Sequence, residues 1–495
     1  METLVAYIKE NWGKVPSCAE CGEVQTEHNY VCSHCYTTFY CGENCQRNHL
    51  KSHLIGGNTN KKKREREEQK LIEIDINNVT REVWSLVTRY LTLKDLKNLS
   101  QANINLYKQM RRIMLMRYRF VIDDLEQFRN HPLFSFVSVI RLTRDEDVFE
   151  LQENDRFVDI VFPDSFNQPI DNINFPHSLS HLTFGENFNQ PIHNVLPHSL
   201  RHLIFGGDFN QSIDGILPES LTHLTFEHDF NQPINNILPQ SLTHLTFGGN
   251  FNQPIDNILP QSLTHLSFGN DFDQPINNIF PQSLTYLAFG SDFNQSIAGI
   301  LPQSLSHLIF GFDFNQVIDN LLPQYLTHLT FGVGFNQSVD RLPASITNLT
   351  FGRDFNHPIN NLPASVKYLI FGEEFNQPID NLPPSLKYLT FGSNFNRPIT
   401  FPKSLTHLTF GFHFNQPIEY FPPRLTHLSF GYRFNQPLDN LPDSLTHLTV
   451  GTKFTRLIEY IPASIKSITV SYNRQKVLFP EDVRHLIDAI YEGVN

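Results

Sequence analysis

From about residue 166 onward, polar and apolar positions alternate in short stretches that recur at a nearly constant interval. Within SLTHLTFG, the segment HLTF alternates, which predicts a strand with Leu and Phe on a buried face and His and Thr on the other. A Phe-Asn pair follows most of these strands. A Leu-Pro step comes later, and proline, which has no N–H, fits an irregular return segment. Each unit therefore predicts one short strand and one mostly irregular return.

The unit is close to FNQPIDNILPQSLTHLTFGGD, and its spacing is 22 residues once, then 21, and then 20 with one interval of 19. A unit this short cannot bury its own apolar face, so neighbouring units must stack. The sequence therefore predicts a repeat solenoid with short parallel strands on one side. The leading Phe recurs at Phe166, Phe188, Phe209, Phe230, Phe251, Phe272, Phe293, Phe314, Phe335, Phe355, Phe375, Phe395, Phe414, Phe434 and Phe454.

An Asn follows the leading Phe at the turn of most units, as Asn189 and Asn210 do, and Asp273 and Thr455 take its place in two of them. Stacked Asn amides can satisfy backbone groups that the turn would otherwise leave buried and unpaired. We therefore predict a ladder of Asn side chains along the array.

These residues, FNQPI…LP.SLTHLTFG, resemble the FNIP repeat, which is similar to leucine-rich repeats in its L-x-x-L-x-F core. The resemblance implies a leucine-rich-repeat-like interaction surface without catalysis, in a family known mainly from large DNA viruses and amoebae. We expect repeats over 166–473 and a connecting and capping region over 118–165. A C-terminal cap is expected over 474–495, where PEDVRHLIDAIYEG predicts a helix.

Two columns of the array are candidate surfaces. The outward strand position is mostly His, which predicts a structural surface ladder; partner contact and a metal site are the alternatives. The position after the strand glycine varies where its surroundings are constant, which indicates either recognition or tolerance. Its exposed apolar members are candidate target-binding residues, because aromatic residues are typical interface anchors. They are Phe312, Val333, Phe412 and Tyr432.

Charge and cysteine usage narrow the class of protein. The 495 residues carry 38 Lys and Arg against 50 Asp and Glu, and a net charge of -12 argues against a nucleic-acid binder. All cysteines lie in one short N-terminal stretch, which indicates metal binding in a reducing compartment. The start has no signal-peptide pattern and no stretch reads as a membrane span. We expect an intracellular, cytoplasmic protein (host cytoplasm if viral), with the nucleus as an alternative because of KKKR.

The cysteine-rich segment carries eight candidate zinc ligands, enough for two tetrahedral ions. The string YCGENCQRNHLKSH resembles the MYND zinc finger, which implies a finger over 1–57 with interleaved ligands. The resemblance places Cys18, Cys21, Cys41 and Cys45 on one ion. This sequence departs from the family at Gly57, where the last cysteine ligand is expected, so His49 is the candidate substitute for that ligand. The eight ligands are Cys18, Cys21, Cys32, Cys35, Cys41, Cys45, His49 and His53.

A charged stretch over 58–70 predicts a linker, and the segment 71–117 predicts three short amphipathic helices. Its YLTLKDLKNLSQAN resembles an F-box, although Val79-Thr80 replaces the usual Leu-Pro opening. The resemblance implies a Skp-type adaptor of a cullin–RING ubiquitin ligase as partner; the alternative is a helical cap on the solenoid. The candidate adaptor contacts are Val83, Trp84, Leu91, Leu93 and Leu96.

The sequence contains no nucleophile elbow, HExxH or phosphate loop, so we predict that the protein is not an enzyme. Two functions remain. The first is the substrate receptor of a ubiquitin ligase, in which the F-box-like segment binds the adaptor and the solenoid binds an unknown target. The second is a scaffold or decoy whose helices only cap the repeats.

Overall fold

The computed structural model describes residues 30–31, 39–40, 120–130, 134, 137–193, 195–234, 237–277 and 280–491. The chain divides into two compact units, of which the second comprises Val121–Ser135 and Val139–Asn495. In the first unit, β1 (Tyr30–Val31) pairs antiparallel with β2 (Phe39–Tyr40). The predicted zinc ligands and the F-box-like segment lie outside the described residues. None of the helices in the described ranges has the length and hydropathy of a membrane span.

The second unit is built on one sheet of nineteen strands, β3 to β21. From β4 to β21, successive strands pair in parallel and in register, so that His265 pairs with His244 on one side and Tyr286 on the other. The strands are β3 (Phe120–Ile122), β4 (Val139–Leu142), β5 (Asp159–Val161), β6 (His181–Thr183), β7 (His202–Phe205), β8 (His223–Phe226), β9 (His244–Thr246), β10 (His265–Ser267), β11 (Tyr286–Ala288), β12 (His307–Ile309), β13 (His328–Thr330), β14 (Asn348–Thr350), β15 (Tyr368–Ile370), β16 (Tyr388–Thr390), β17 (His407–Thr409), β18 (His427–Ser429), β19 (His447–Val450), β20 (Ser467–Tyr472) and β21 (Ile487–Tyr491).

The predicted alternation within each strand is observed. In β7, His202 and Ile204 are partly exposed while Leu203 and Phe205 are fully buried. The leading Phe, four residues after the strand Phe, is buried as well. The rings of these two Phe residues stack with centroids 3.6–4.2 Å apart, from the Phe184–Phe188 pair to the Phe430–Phe434 pair. Two columns of Phe therefore form the core between the sheet and the return segments.

The predicted Asn ladder is also observed at the turns. The backbone N–H of Asn210 donates to Oδ1 of Asn189 in the preceding coil at 3.0 Å, and Asn231 repeats the contact onto Asn210. Nε2 of Gln211 donates to the same Asn189 oxygen at 2.9 Å. One amide side chain thus accepts two hydrogen bonds from the next coil and links neighbouring coils where the strand hydrogen bonds end.

Glycine follows the strand in most coils of the repeats because the coils approach closely there; after β8 the position is Glu227. A Cβ built on Gly269 would lie 1.7 Å from the carbonyl oxygen of Gly248, and one on Gly290 would lie 1.6 Å from the oxygen of Gly269. No side chain fits these two gaps without moving backbone, so close stacking accounts for the glycine at both positions.

The sheet closes on itself, which corrects the expectation of a solenoid with capped ends. In the strand order, β21 lies between β20 and β3, and β3 is followed by β4. We call this closed sheet with its return segments the ring. Within the described residues the ring has no free edge strand, so it needs no end caps.

Curvature accounts for the closure. Centroids of stacked His rings on one face of the sheet lie 4.0–4.3 Å apart from coil to coil. The turn Phe rings on the opposite side lie 5.9–6.2 Å apart, from Phe188 to Phe454. Because the spacing widens from the His face to the Phe side, the His face is concave and every coil turns the sheet in the same direction.

Both predicted capping regions are part of the ring. Residues 118–165 contribute β3, β4 and β5, with α1 (Leu125–Arg129) and α2 (Glu146–Phe149) between them. At the other end, the predicted C-terminal helix is wrong. The chain forms two 3-10 helices, Asn473–Leu478 and Glu481–Leu486, and then β21. The backbone edge of β20 explains the difference, since pairing Ile487 with Ile468 satisfies that edge and buries Ile487.

Candidate functional site

The concave face of the ring carries the predicted ladder of outward strand side chains. Its rings stack on each other, as in the run from His181 to His265 and again from His407 to His447. A Ser or Thr hydroxyl precedes most of these His residues and lies 2.7–2.9 Å from the ring Nδ1, as Thr243 does for His244. The ladder is therefore held by stacking and by a side-chain contact within each coil.

Burial within the ladder lowers the pKa of several of these imidazoles. The pKa of His202, His244 and His427 is lowered from 6.5 to about 4, mainly because burial removes the charged form from water, and further because neighbouring imidazoles would repel it. The same causes lower the pKa of other members of the ladder, namely His223, His265, His328 and His407. At neutral pH these seven rings on the concave face are consequently uncharged. In the described ranges, no three His, Cys, Asp or Glu side chains converge as a metal site would require.

A second surface runs along the side of the ring where the strands end. We call it the turn edge: the two residues that follow the strand glycine, or the residue in its place, in each coil. The four predicted target-binding residues lie here. Phe312, Phe412 and Tyr432 are 53%, 42% and 37% exposed, and Val333 is half-buried. The sequence did not predict how these residues are grouped.

The four residues form two separate pairs. Phe412 and Tyr432, in successive coils, stack with parallel rings and centroids 4.6 Å apart. Phe312 and Val333 also occupy successive coils, after β12 and β13. Three coils, those of β14, β15 and β16, separate the two pairs. The structure thus brings two of the predicted residues into contact and leaves the other pair elsewhere on the edge.

Sequence reasoning missed two cations beside the stacked pair. The Arg433 guanidinium lies over the Phe412 ring at 5.9 Å, and the Lys453 ammonium lies over the Tyr432 ring at 5.7 Å. Both cations follow the variable position in their own coils. The signal was available in the sequence, because this second position is mostly Asp in earlier coils and becomes His413, Arg433 and Lys453 here.

The model of the FNIP Repeat matches more than half of the chain, at residues 166–208, 209–250, 230–271, 251–292, 272–313, 293–334, 335–374, 375–413, 414–453 and 434–473. The chain belongs to the FNIP repeat family. The model of the MYND finger matches residues 18–55. No curated protein sequence matches the chain.

Among solved structures, the FNIP-repeat chain is 41% identical to CroV588, described as a novel circular LRR protein structure, with a TM-score of 0.60. That match covers 72% of this chain and 61% of the CroV588 chain. It agrees with the closed sheet found here. YopM from Yersinia enterocolitica WA-314 matches at 19% identity, with a TM-score of 0.38, over 72% of this chain and 91% of its own. An internalin from Listeria monocytogenes matches at 14% identity with a TM-score of 0.37, and the match covers 68% of this chain and 94% of the internalin chain.

The matches to the FNIP Repeat and to the MYND finger indicate which kinds of site to expect in this protein. A leucine-rich-repeat-like solenoid is typically a non-catalytic binding scaffold, and the comparisons indicate no enzyme family. The MYND finger implies zinc binding, held by cysteine thiolates and histidine nitrogens within residues 18–55. Interaction surfaces, rather than reacting groups, are therefore the sites to consider.

Proposed function

We propose that this FNIP-repeat protein is a protein-interaction module that holds a target protein on the turn edge of its ring. The observation that supports the proposal is the stacked pair of Phe412 and Tyr432, two exposed aromatic rings in contact with each other. Aromatic residues of this kind are enriched at the centres of protein interfaces and contribute most of their binding energy.

The fold itself does not require aromatic residues at this register. Glu186, Gly207, Asn270 and Ser291 occupy the same position in other coils, where the strands pair in the same way. An exposed aromatic pair is therefore a feature added to the scaffold. Phe312 and Val333 provide a second, separate apolar contact on the same edge, consistent with a target that spans several coils.

A capture experiment tests this proposal. Purified ring-containing protein is used to capture partners from eukaryotic cell lysate, and the bound proteins are compared with those held by Phe412→Ala/Tyr432→Ala. We expect a defined set of proteins to be lost from the double variant, because each aromatic side chain removes contact area from the interface. Glu186→Ala/Asn270→Ala, at the same register, is the matched control and should retain the set. Identical capture by both variants would refute a role for the pair.

The zinc finger is proposed as a second peptide-binding element with two zinc ions. Six cysteines and two histidines supply two tetrahedral sets. By the family resemblance, Cys32, Cys35 and His53 hold the second ion, and His49 replaces the missing cysteine. These ligands lie outside the described residues, so the support is the sequence pattern and the family match.

A more specific candidate function is substrate receptor of a cullin–RING ubiquitin ligase. Its support is the F-box-like pattern of segment 71–117, which precedes an array that presents binding surfaces. Replacing Leu91 and Leu96 by Asp should abolish co-purification with a Skp-type adaptor and a cullin, because the change puts charge into an apolar contact. Circular dichroism of the variant must match wild type. If intact protein recovers no adaptor but still captures other proteins, the scaffold or decoy function replaces the receptor function.

A further inference from the structure

The turn edge of the ring changes sign along its length. The second residue of the turn edge is acidic in most coils from β7 to β15. In the coils of β17, β18 and β19, the same position is occupied by His, Arg and Lys. We call these two stretches the acidic arc and the basic arc. The acidic arc comprises Asp208, Asp229, Asp271, Asp292, Asp313, Asp354 and Glu374, and the basic arc comprises His413, Arg433 and Lys453.

Folding does not explain the reversal. The residue at this position donates its backbone N–H to the turn of the preceding coil whatever its side chain, as Asp292 does to Asn270 and Arg433 does to Phe412. The local hydrogen bond is the same in both arcs. The change from carboxylate to cation is therefore a property of the surface, and it coincides with the coils that carry the stacked Phe412 and Tyr432.

Arg433 and Lys453, the cations of the basic arc, have no acidic partner within 4.0 Å in the part of the chain that the structure describes. The ion pairs found there involve other residues, and none includes Arg433 or Lys453. Arg353, which lies within the acidic arc, is different, because it lies 3.7 Å from both Asp354 and Glu373. A cation in the acidic arc is neutralised by its neighbours, whereas those in the basic arc remain available to a binding partner.

We propose that the basic arc, together with Phe412 and Tyr432, binds an acidic segment of the target protein that carries an aromatic or aliphatic side chain. This inference rests on the proposed function and names the chemistry of the partner at that site. Arg433 and Lys453 would pair with carboxylates, and the stacked rings beside them would contact the apolar side chain. Such mixed aromatic and cationic surfaces are typical of interface hot spots.

The acidic arc gives this site its selectivity. An acidic segment is repelled by the aspartates that occupy the same edge in the earlier coils, so it can dock only where the sign is reversed. Towards β15, a long polyanion such as nucleic acid would meet the same carboxylates. The short extent of the basic arc and the apolar pair at its centre therefore favour a short protein segment.

A direct binding measurement tests the proposal on the full chain. The probe is a short fluorescent peptide of glutamate and serine with one central tryptophan, followed by anisotropy at low and physiological salt. We expect saturable binding that weakens as salt rises. Arg433→Glu/Lys453→Glu should bind roughly tenfold more weakly or worse, because two attractions become repulsions. The control variant Arg353→Glu/Lys367→Glu carries the same change in net charge but lies outside the basic arc. It should bind the peptide as wild type does.

The aromatic contribution has its own control. Phe412→Ala/Tyr432→Ala should weaken binding of the tryptophan peptide and leave binding of the same peptide with serine in place of tryptophan unchanged. Failure of the wild-type protein to bind the peptide, or equal loss in the two charge-reversed variants, would overturn the inference.

Two outcomes separate this inference from the proposed function. If Phe412→Ala/Tyr432→Ala loses captured proteins while Arg433→Glu/Lys453→Glu keeps both them and the peptide, the turn edge binds a target but the partner is not acidic. The ring also presents an acidic arc of its own. If wild-type protein forms dimers in sedimentation velocity, and the dimers disappear in Arg433→Glu/Lys453→Glu, the occupant is a second copy of this chain and the inference of a separate acidic target is overturned.

Discussion

Lowering the pH should destabilise the ring through its stacked histidines. Above about pH 7.5 these imidazoles are neutral in both the folded and the unfolded chain, and they contribute no pH dependence. The folded pKa of His202, His244 and His427 is about 4, which lies below the value of 6.5 expected for an unfolded chain. As the pH falls, the unfolded chain therefore takes up protons first. Stability is full above about pH 7 and is lost from about pH 6.5 towards pH 4.

The size of the stability loss on acidification follows from the same pKa values. A pKa lowered from 6.5 to about 4 corresponds to about 3.4 kcal/mol for one imidazole before any screening. The three side chains are only half-buried, and water screens much of the charge on a partly exposed group. We therefore expect about 1 kcal/mol from each, and roughly 3 kcal/mol from the three together.

Thermal melting followed by circular dichroism, between about pH 7.5 and pH 4.5, measures this effect. The comparison is with the variant His202→Asn/His244→Asn/His427→Asn, since Asn348 already occupies the same register in β14. The variant should melt close to wild type at pH 7.5, and its midpoint should fall by a few degrees less than that of wild type on acidification. Carboxylates titrate equally in both proteins, so they cancel in the comparison. An equal fall in the two proteins would refute the coupling between stacking and protonation.

Three further predictions concern the ring and the finger. Gly290→Ala should lower the free energy of unfolding by more than about 3 kcal/mol, because the new Cβ would lie 1.6 Å from a carbonyl oxygen. Gly249→Ala is the control: the atom nearest to its Cβ would be 3.6 Å away, so the free energy of unfolding should change by less than about 0.5 kcal/mol. Deleting residues 487–495 removes β21 and should lower the melting midpoint and promote aggregation, since two strand edges become exposed; deleting only 492–495 is the control, and equal behaviour would argue against a closed ring. Elemental analysis of wild type should give two zinc ions per chain and His49→Ala should give one; two ions in both would exclude His49 as a ligand.

Local and repeated features of the ring were predictable from the sequence. The alternation of HLTF determines which strand side chains are buried, and repetition at nearly constant spacing places identical residues side by side in successive coils. The core columns of Phe, the Asn ladder and the stacked His face all follow from these two facts. Each depends only on contacts within a coil or between neighbouring coils, which a single repeat already encodes.

The grouping of the surface residues was predictable only in part. The variable position after the strand glycine identified Phe412 and Tyr432, but not that their rings stack or that Arg433 and Lys453 lie over them. Those contacts depend on the separation of neighbouring coils and on side-chain direction. The change of sign along the turn edge was present in the sequence, yet it acquires meaning only once the residues are known to lie along one edge.

Only the tertiary structure decided that the array is a ring. The curvature of one coil against the next is small, and no single repeat specifies the sum over nineteen strands. That sum brings β21 beside β3, and this contact between the two ends of the second unit turns a predicted C-terminal helix into a strand. The apolar residues near Ile487 suit either a helix or a strand, and the unpaired edges of β20 and β3 decide between them, because a strand satisfies both.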